Sequence, residues 1–246
     1  MVNPETSSPL FWHLLTRLGE AQILLPAMVL ATAWLTWRHG PTRLALGWLA
    51  STALAATITT LSKVAFIGYG VGLPALDFTG ISGHAMFAAA VLPPLLRLSA
   101  GTLTGRWQTA SLVLGYSLAA AVAVSRVMVG VHSGSEVAAG FALGASASGL
   151  ALLSAQVPAV RIPRWVPAAV LAWGTLGVAA APPSRTHDWV TQLALAQSGR
   201  NQPYQRWQMH QDYRRHQDDR RHQDILRLQD DRQHQPVLRL PSLQAR

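Results

Sequence analysis

Apolar and polar positions in this chain are segregated into long blocks. Six nearly unbroken apolar runs, roughly 21–37, 44–62, 83–98, 107–124, 134–153 and 165–181, follow one another with short connectors between them. Most approach the ~20 residues with which a helix crosses the hydrocarbon core of a bilayer. They are rich in Ala, Gly, Ser and Thr, small residues that let helices pack closely where lipid removes the hydrophobic drive between them. The pattern predicts an all-α fold, a bundle of six transmembrane helices. Pro93-Pro94 falls inside the third run and is expected to kink or break it. Residues 64–80 are apolar but interrupted by Gly68, Gly70, Gly72, Pro74 and Gly80. They read as a loop that dips into the interface and lines a cavity, not as a helix.

The ends of the chain read differently. Residues 1–20 form an N-terminal segment in which 10–18 is either an interfacial helix or a plain helical extension. Residues 21–183 form the transmembrane domain. Past Pro182-Pro183 the composition changes abruptly, and 184–246 is a polar tail. His-Gln-Asp recurs at 210–212, 216–218 and 222–224, and Leu228-Gln229-Asp230 and His234-Gln235 keep the same period of six. Six residues advance a helix by about 600°, so the repeat paints no single face. The tail is expected to be solvated, and disordered or loosely helical, with room for an interfacial helix over 189–196.

Composition sharpens the membrane reading. Half of the 246 residues are hydrophobic and only 13% are charged, against the usual quarter in soluble domains. Between Ala21 and Ala181 there are two acids, Asp77 and Glu136. The formal net charge is +9, carried by 19 Arg and one Lys. The basic residues cluster in short connectors, at Arg38 and Arg43, Arg97 and Arg106, and Arg161 and Arg164. This is the positive-inside pattern of a membrane protein, so the charge points to a bilayer and not to nucleic acid. If six helices alternate, those loops face the cytoplasm, while 63–83 and 125–136 face outward. The first span can serve as the insertion signal, since residues 1–20 hold Glu5 and Glu20 and no continuous apolar core. Cysteine is absent, which excludes a disulfide framework and a thiolate metal site.

The two outward connectors carry the candidate chemistry. Ser125-Arg126 is followed by His132 and then Glu136. Arg126 offers a planar fork of donors suited to phosphate oxygens. In a helix, His132 and Glu136 share a face; a carboxylate on one ring nitrogen fixes the tautomer and leaves the other as a nucleophile. Ile81-Ser82-Gly83-His84 precedes an apolar run. Ser82 and Gly83 can present a hydroxyl and helix-N-terminal amides to an anion. His84 can protonate a leaving oxygen and then deprotonate the attacking water. Lys63, the one lysine, stands at the outer end of the second run and can bind phosphate as a point charge. Asp77 is read as structural, a hydrogen-bond partner of Lys63 or a cap near Ser82. His13, His39 and His187 are read as structural or surface residues.

With these motifs the chain resembles the type 2 phosphatidic acid phosphatases, the membrane lipid phosphatases of the vanadium haloperoxidase superfamily. Their motifs are Lys, six residues, Arg-Pro; then Pro-Ser-Gly-His; then Ser-Arg, five residues, His, three residues, Asp. Here the third is matched with Glu136 in place of Asp, and the second lacks only its proline, replaced by Ile81. The first keeps Lys63, but Gly70 and Val71 stand where Arg-Pro would be. The resemblance covers about 21–181. It implies the helical core of that superfamily, with no metal and no cofactor. It also implies His132 as a nucleophile forming a phosphohistidine, Glu136 orienting it, and His84 protonating the leaving group. Lys63, Ser82, Gly83 and Arg126 would hold the phosphate. The implied substrate is a lipid phosphate or diphosphate, such as polyprenyl diphosphate or phosphatidic acid, met at the outer face of the inner membrane. The alternative is a catalytically degenerate member that binds phospholipid headgroups or scaffolds a partner, which the missing arginine supports. A soluble haloperoxidase conflicts with the apolar composition, and no internal repeat of the apolar runs favours a transporter.

Overall fold

The computed structural model describes residues 10–40, 42–101, 105–153 and 186–233. Among these the chain is all-helical, its extended pairing limited to a Leu73–Phe78 bridge. The helices are α1 (Leu10–Arg17), α2 (Ala21–His39), α3 (Arg43–Tyr69), α4 (Gly83–Ser99), α5 (Arg106–Met128), α6 (Gly134–Leu153), α7 (Thr186–Ser198) and α8 (Arg206–Gln233). The stretch 10–39 and helices α3, α5 and α6 are each long and apolar enough to cross a membrane. The sixth run, 165–181, and the connector with Arg161 and Arg164 lie outside the described residues.

Helix α4 is the centre of the bundle and packs against α2, α3, α5 and α6. Its middle is sealed from solvent, with Met86, Ala88, Ala89, Ala90 and Val91 fully buried. The surrounding helices carry exposed Leu30, Leu54, Leu61, Leu114 and Leu150 on their outer sides, an apolar surface suited to hydrocarbon. The approach of α6 to α4 is set by glycine. A Cβ at Gly140 would lie 2.4 Å from the Ser82 carbonyl oxygen, and one at Gly144 would lie 2.1 Å from that of Met86. On the other side, a Cβ at Gly115 of α5 would lie 2.6 Å from Cα of Pro93.

Two expectations about helix boundaries are corrected. Pro93-Pro94 does not break the third run, because α4 continues through both to Ser99. Pro94 cannot donate to the Ala90 carbonyl one turn back; the indole Nε1 of Trp48 donates to it instead, at 2.9 Å. The loop expected from 64 begins only at Gly70, because α3 runs on to Tyr69. Gly70 closes α3 in the left-handed conformation, φ 74°, its amide donating to Phe66, a position that favours glycine.

The polar tail also differs from expectation. The compact unit containing the bundle extends to Tyr204, beyond the boundary expected at 184. Helix α7 packs along α3: a Cβ at Gly68 would lie 3.0 Å from the Ala194 carbonyl oxygen, and the Tyr69 hydroxyl donates to the Gln197 carbonyl at 3.2 Å. The second unit begins at Gln205. It contains α8, a continuous helix with exposed side chains over the hexapeptide repeat where disorder or a loose helix was expected. The period of six places Arg214, Arg215 and Arg220 four residues before Asp218, Asp219 and Asp224, and opposite charges at that spacing support a helix that buries little.

Candidate active site

The residues singled out in the sequence gather at one end of the bundle, where α3 and α5 finish and α4 and α6 start. The turn between α5 and α6 builds the first part. Helix α5 stops at Met128, Gly130 takes φ 72°, and the amides of Val131 and His132 both turn back to the Arg126 carbonyl at 3.3 Å. Ser133 then precedes α6 and Glu136 lies in its first turn. The Glu136 carboxylate accepts from the Ser133 amide at 3.1 Å, and the Glu136 amide donates to the Ser133 hydroxyl at 3.4 Å. This reciprocal pair is a capping box.

The same carboxylate reaches His132. Nδ1 of His132 lies 2.7 Å from Oε2 of Glu136. His132 sits in the turn before α6 rather than on a shared helical face, so the capping turn brings the pair together. Oε1 of Glu136 accepts from the Thr79 amide at 2.7 Å and from the Thr79 hydroxyl. Glu136 is fully buried and His132 nearly so, its side chain 15% exposed. With the carboxylate on Nδ1, the imidazole is fixed with Nε2 free for chemistry. Burial pulls the His132 pKa below the ordinary imidazole value. The hydrogen bond to the Glu136 carboxylate raises it part of the way back, and the charges of Lys63 and Arg126 press it down.

The start of α4 is stitched to this turn. The Ser82 amide donates to the Glu136 backbone carbonyl at 3.1 Å. That corrects one expectation, since the Ser82 amide is already engaged within the protein. Gly83 opens α4, whose first amides lack intrahelical acceptors. Nζ of Lys63 lies 4.0 Å from where a Gly83 Cβ would stand, which brings the lysine beside that helix start. Lys63 lies within α3, nearly two turns before its end, where the expectation had it at the helix terminus. The loop above lies directly on it. Gly80, at φ 147°, would place a Cβ 3.1 Å from Lys63 Cγ, and the Ile81 amide donates to the Ser62 hydroxyl at 3.0 Å. His84, in the first turn of α4, stands within electrostatic reach of Arg126, Lys63 and His132. Asp77 ends a 3-10 turn, Pro74–Leu76, in the left-handed region, while the residue capping α4 is Ser82.

Two polar atoms in this cluster have nothing to bond. Oγ of Ser82 and Nε of Arg126 are buried without a hydrogen-bond partner. A buried donor left so costs about 1–3 kcal/mol. The hydroxyls of Thr52 and Thr59 in α3 are buried without a partner as well; what sets Ser82 and Arg126 apart is their company, since an anion fits a guanidinium edge, a lysine and a helix start together. Sequence reasoning missed Thr79 and Thr16, the latter accepting from Nη1 of Arg126 at 2.8 Å. They belong to no motif and lie 57 and 110 residues from their partners.

No solved structure matches the chain. An uncharacterized 22.5 kDa protein in the cps region of Klebsiella pneumoniae is 37% identical over 142 residues, which are 58% of this chain and 68% of that protein. A model of the PAP2 superfamily matches residues 66–158, the stretch with the second and third motifs. A membrane protein by its apolar helices, the chain belongs to the PAP2 superfamily.

Proposed function

We propose that the protein hydrolyses lipid phosphates or diphosphates, polyprenyl diphosphate and phosphatidic acid being the candidate substrates, through a phosphohistidine on His132 and without a metal. Members of the family are phosphatases, which supports phosphoric ester hydrolysis. The observation that carries the reading is the pair of partnerless buried atoms, Ser82 Oγ and Arg126 Nε, in the cluster that also holds the His132–Glu136 pair.

In this reading the phosphate lies against Arg126, Lys63, Ser82 and the start of α4 at Gly83. Preorganised donors aimed at developing charge are the largest usual contribution to such a reaction. Nε2 of His132 attacks phosphorus while Glu136 accepts from Nδ1 and stabilises the cationic ring. The bond from phosphorus to the lipid oxygen breaks, and His84 gives that oxygen a proton. His84 then takes a proton from water, the water oxygen attacks the phosphohistidine, and the phosphorus–nitrogen bond breaks to release inorganic phosphate. The site faces outward, away from the basic connectors.

The test is phosphate release from phosphatidic acid and a polyprenyl diphosphate in detergent, with acid-labile phosphohistidine trapped from labelled substrate. His132→Ala is expected to lower release by at least roughly a thousandfold and to abolish the trapped species. Undiminished turnover would rule out the nucleophile. The second reading, a headgroup-binding protein without turnover, is favoured by one feature. Gly70, at the place of the missing arginine, has a left-handed backbone with the Tyr204 ring 3.4 Å from its Cβ position. Phosphate binding by wild type with no release would select that reading.

A further inference from the structure

The family match begins at residue 66, yet the cluster has a contact from far upstream. Helix α1 packs on α5. Its penultimate residue, Thr16, is buried and accepts from Nη1 of Arg126 at 2.8 Å. The turn that follows is close to the start of α4. A Cβ at Gly19 would lie 2.5 Å from a Val122 methyl and 3.0 Å from the His84 carbonyl oxygen. Glu20, also buried, pairs with Nε of Arg17 at 3.6 Å, accepts from Gln22, and stands within electrostatic reach of Arg126.

The choice of nitrogen matters. A guanidinium can present Nη1 with Nη2, or Nε with Nη2, as two parallel donors to a pair of phosphate oxygens. Nη1 gives one of its two N–H groups to Thr16, and Nε is the buried atom with no partner. The edge whose buried donor still lacks an acceptor is the one made by Nε and Nη2. We propose that Thr16 is a positioning residue, which holds Nη1 so that Arg126 turns its Nε–Nη2 edge to the substrate phosphate. The N-terminal segment thereby becomes part of the phosphate site. Arg126 also carries more of the clamp because Gly70 supplies no side chain. The inference rests on the phosphatase reading and adds to it a residue outside the family motifs.

The experiment measures KM, kcat and inhibition by inorganic phosphate for the full chain in detergent. Thr16→Val keeps the shape and removes the acceptor. It is expected to raise KM and the phosphate inhibition constant together by about tenfold, the scale of one hydrogen bond to a charged group, with a smaller loss in kcat. Thr16→Ser is expected to stay within about twofold of wild type, since its hydroxyl can still accept. In an Arg126→Lys background, which has no such edge, Thr16→Val should add nothing further. Should Thr16→Val not fold, Thr16→Ala carries the same expectation, and the thermal midpoint of each variant separates unfolding from misplacement. Unchanged phosphate inhibition in a folded Thr16→Val, or an equal effect in the Arg126→Lys background, overturns the positioning role while leaving the phosphatase intact. A wild-type protein that neither releases phosphate nor is occupied by it overturns both.

Discussion

Glu136 stands where the related motif carries aspartate, and its extra methylene has a use. One carboxylate reaches back to the Ser133 amide, sideways to His132 Nδ1 and across to Thr79. A glutamate three residues after a capping serine is suited to the first of these bonds, and the shorter aspartate would have to give up part of the set. Thr79 is the third holder. Thr79→Val is expected to lower kcat by roughly tenfold to a hundredfold with little change in KM, as a lost hydrogen bond to a charged group allows, measured in the same release assay. The acid limb of the pH profile belongs to His132. Its pKa lies below the ordinary imidazole value, so the neutral, nucleophilic form persists as pH falls through that value. The acid limb of kcat/KM is therefore expected below the ordinary histidine range, and an acid limb above pH 7 would contradict the burial of His132. The partnership of His132 with Glu136 is legible from their closeness in sequence, although a capping turn and not the expected helical face joins them. The partnerships of Thr79 and Thr16 are not, because a threonine gives no sign of a partner so far along the chain.

Among the described residues the apolar runs and their order are legible at the level of helices, since a helix that meets lipid on its outer face is apolar all round and leaves an unbroken compositional block. Helix ends are less so. A turn rich in glycine was read as starting at 64, but propensity yields to packing where α7 buries the last turns of α3. The proline pair reads from sequence as a kink or break because the indole that satisfies Ala90 lies 42 residues away. The glycines of α6 carry a prediction of their own. Gly144→Ala must displace the Met86 backbone and is expected to destabilise by about 1–3 kcal/mol, seen as a lower thermal midpoint in detergent. Gly149→Ala, where nothing lies within 4 Å of the added carbon, is expected to leave the midpoint unchanged or raised. Equal shifts for the two would mean that α4 and α6 do not approach as described.

Across the whole molecule, the ends of the bundle carry opposite roles. The site occupies one end, and Arg38, Arg43, Arg97 and Arg106 mark the other. The chain has no cysteine, so single cysteines report orientation directly. Val131→Cys, exposed beside the site, is expected to react with a membrane-impermeant maleimide in intact cells. Ser99→Cys, exposed at the far end of α4, should react only after permeabilisation, and the reverse pattern would place the site in the cytoplasm. The tail reads from sequence as disordered or loosely helical because its repeat favours no face; charges spaced along one helix need none. One bond seen in the cluster has a wider effect. Because the Ser82 amide holds the Glu136 carbonyl and Gly140 lets α6 press on the Ser82 backbone, the strings around His84 and His132 are tied together and resist sliding past each other. Thinner or thicker bilayers should therefore alter how readily a lipid enters while leaving the chemical step at the same speed.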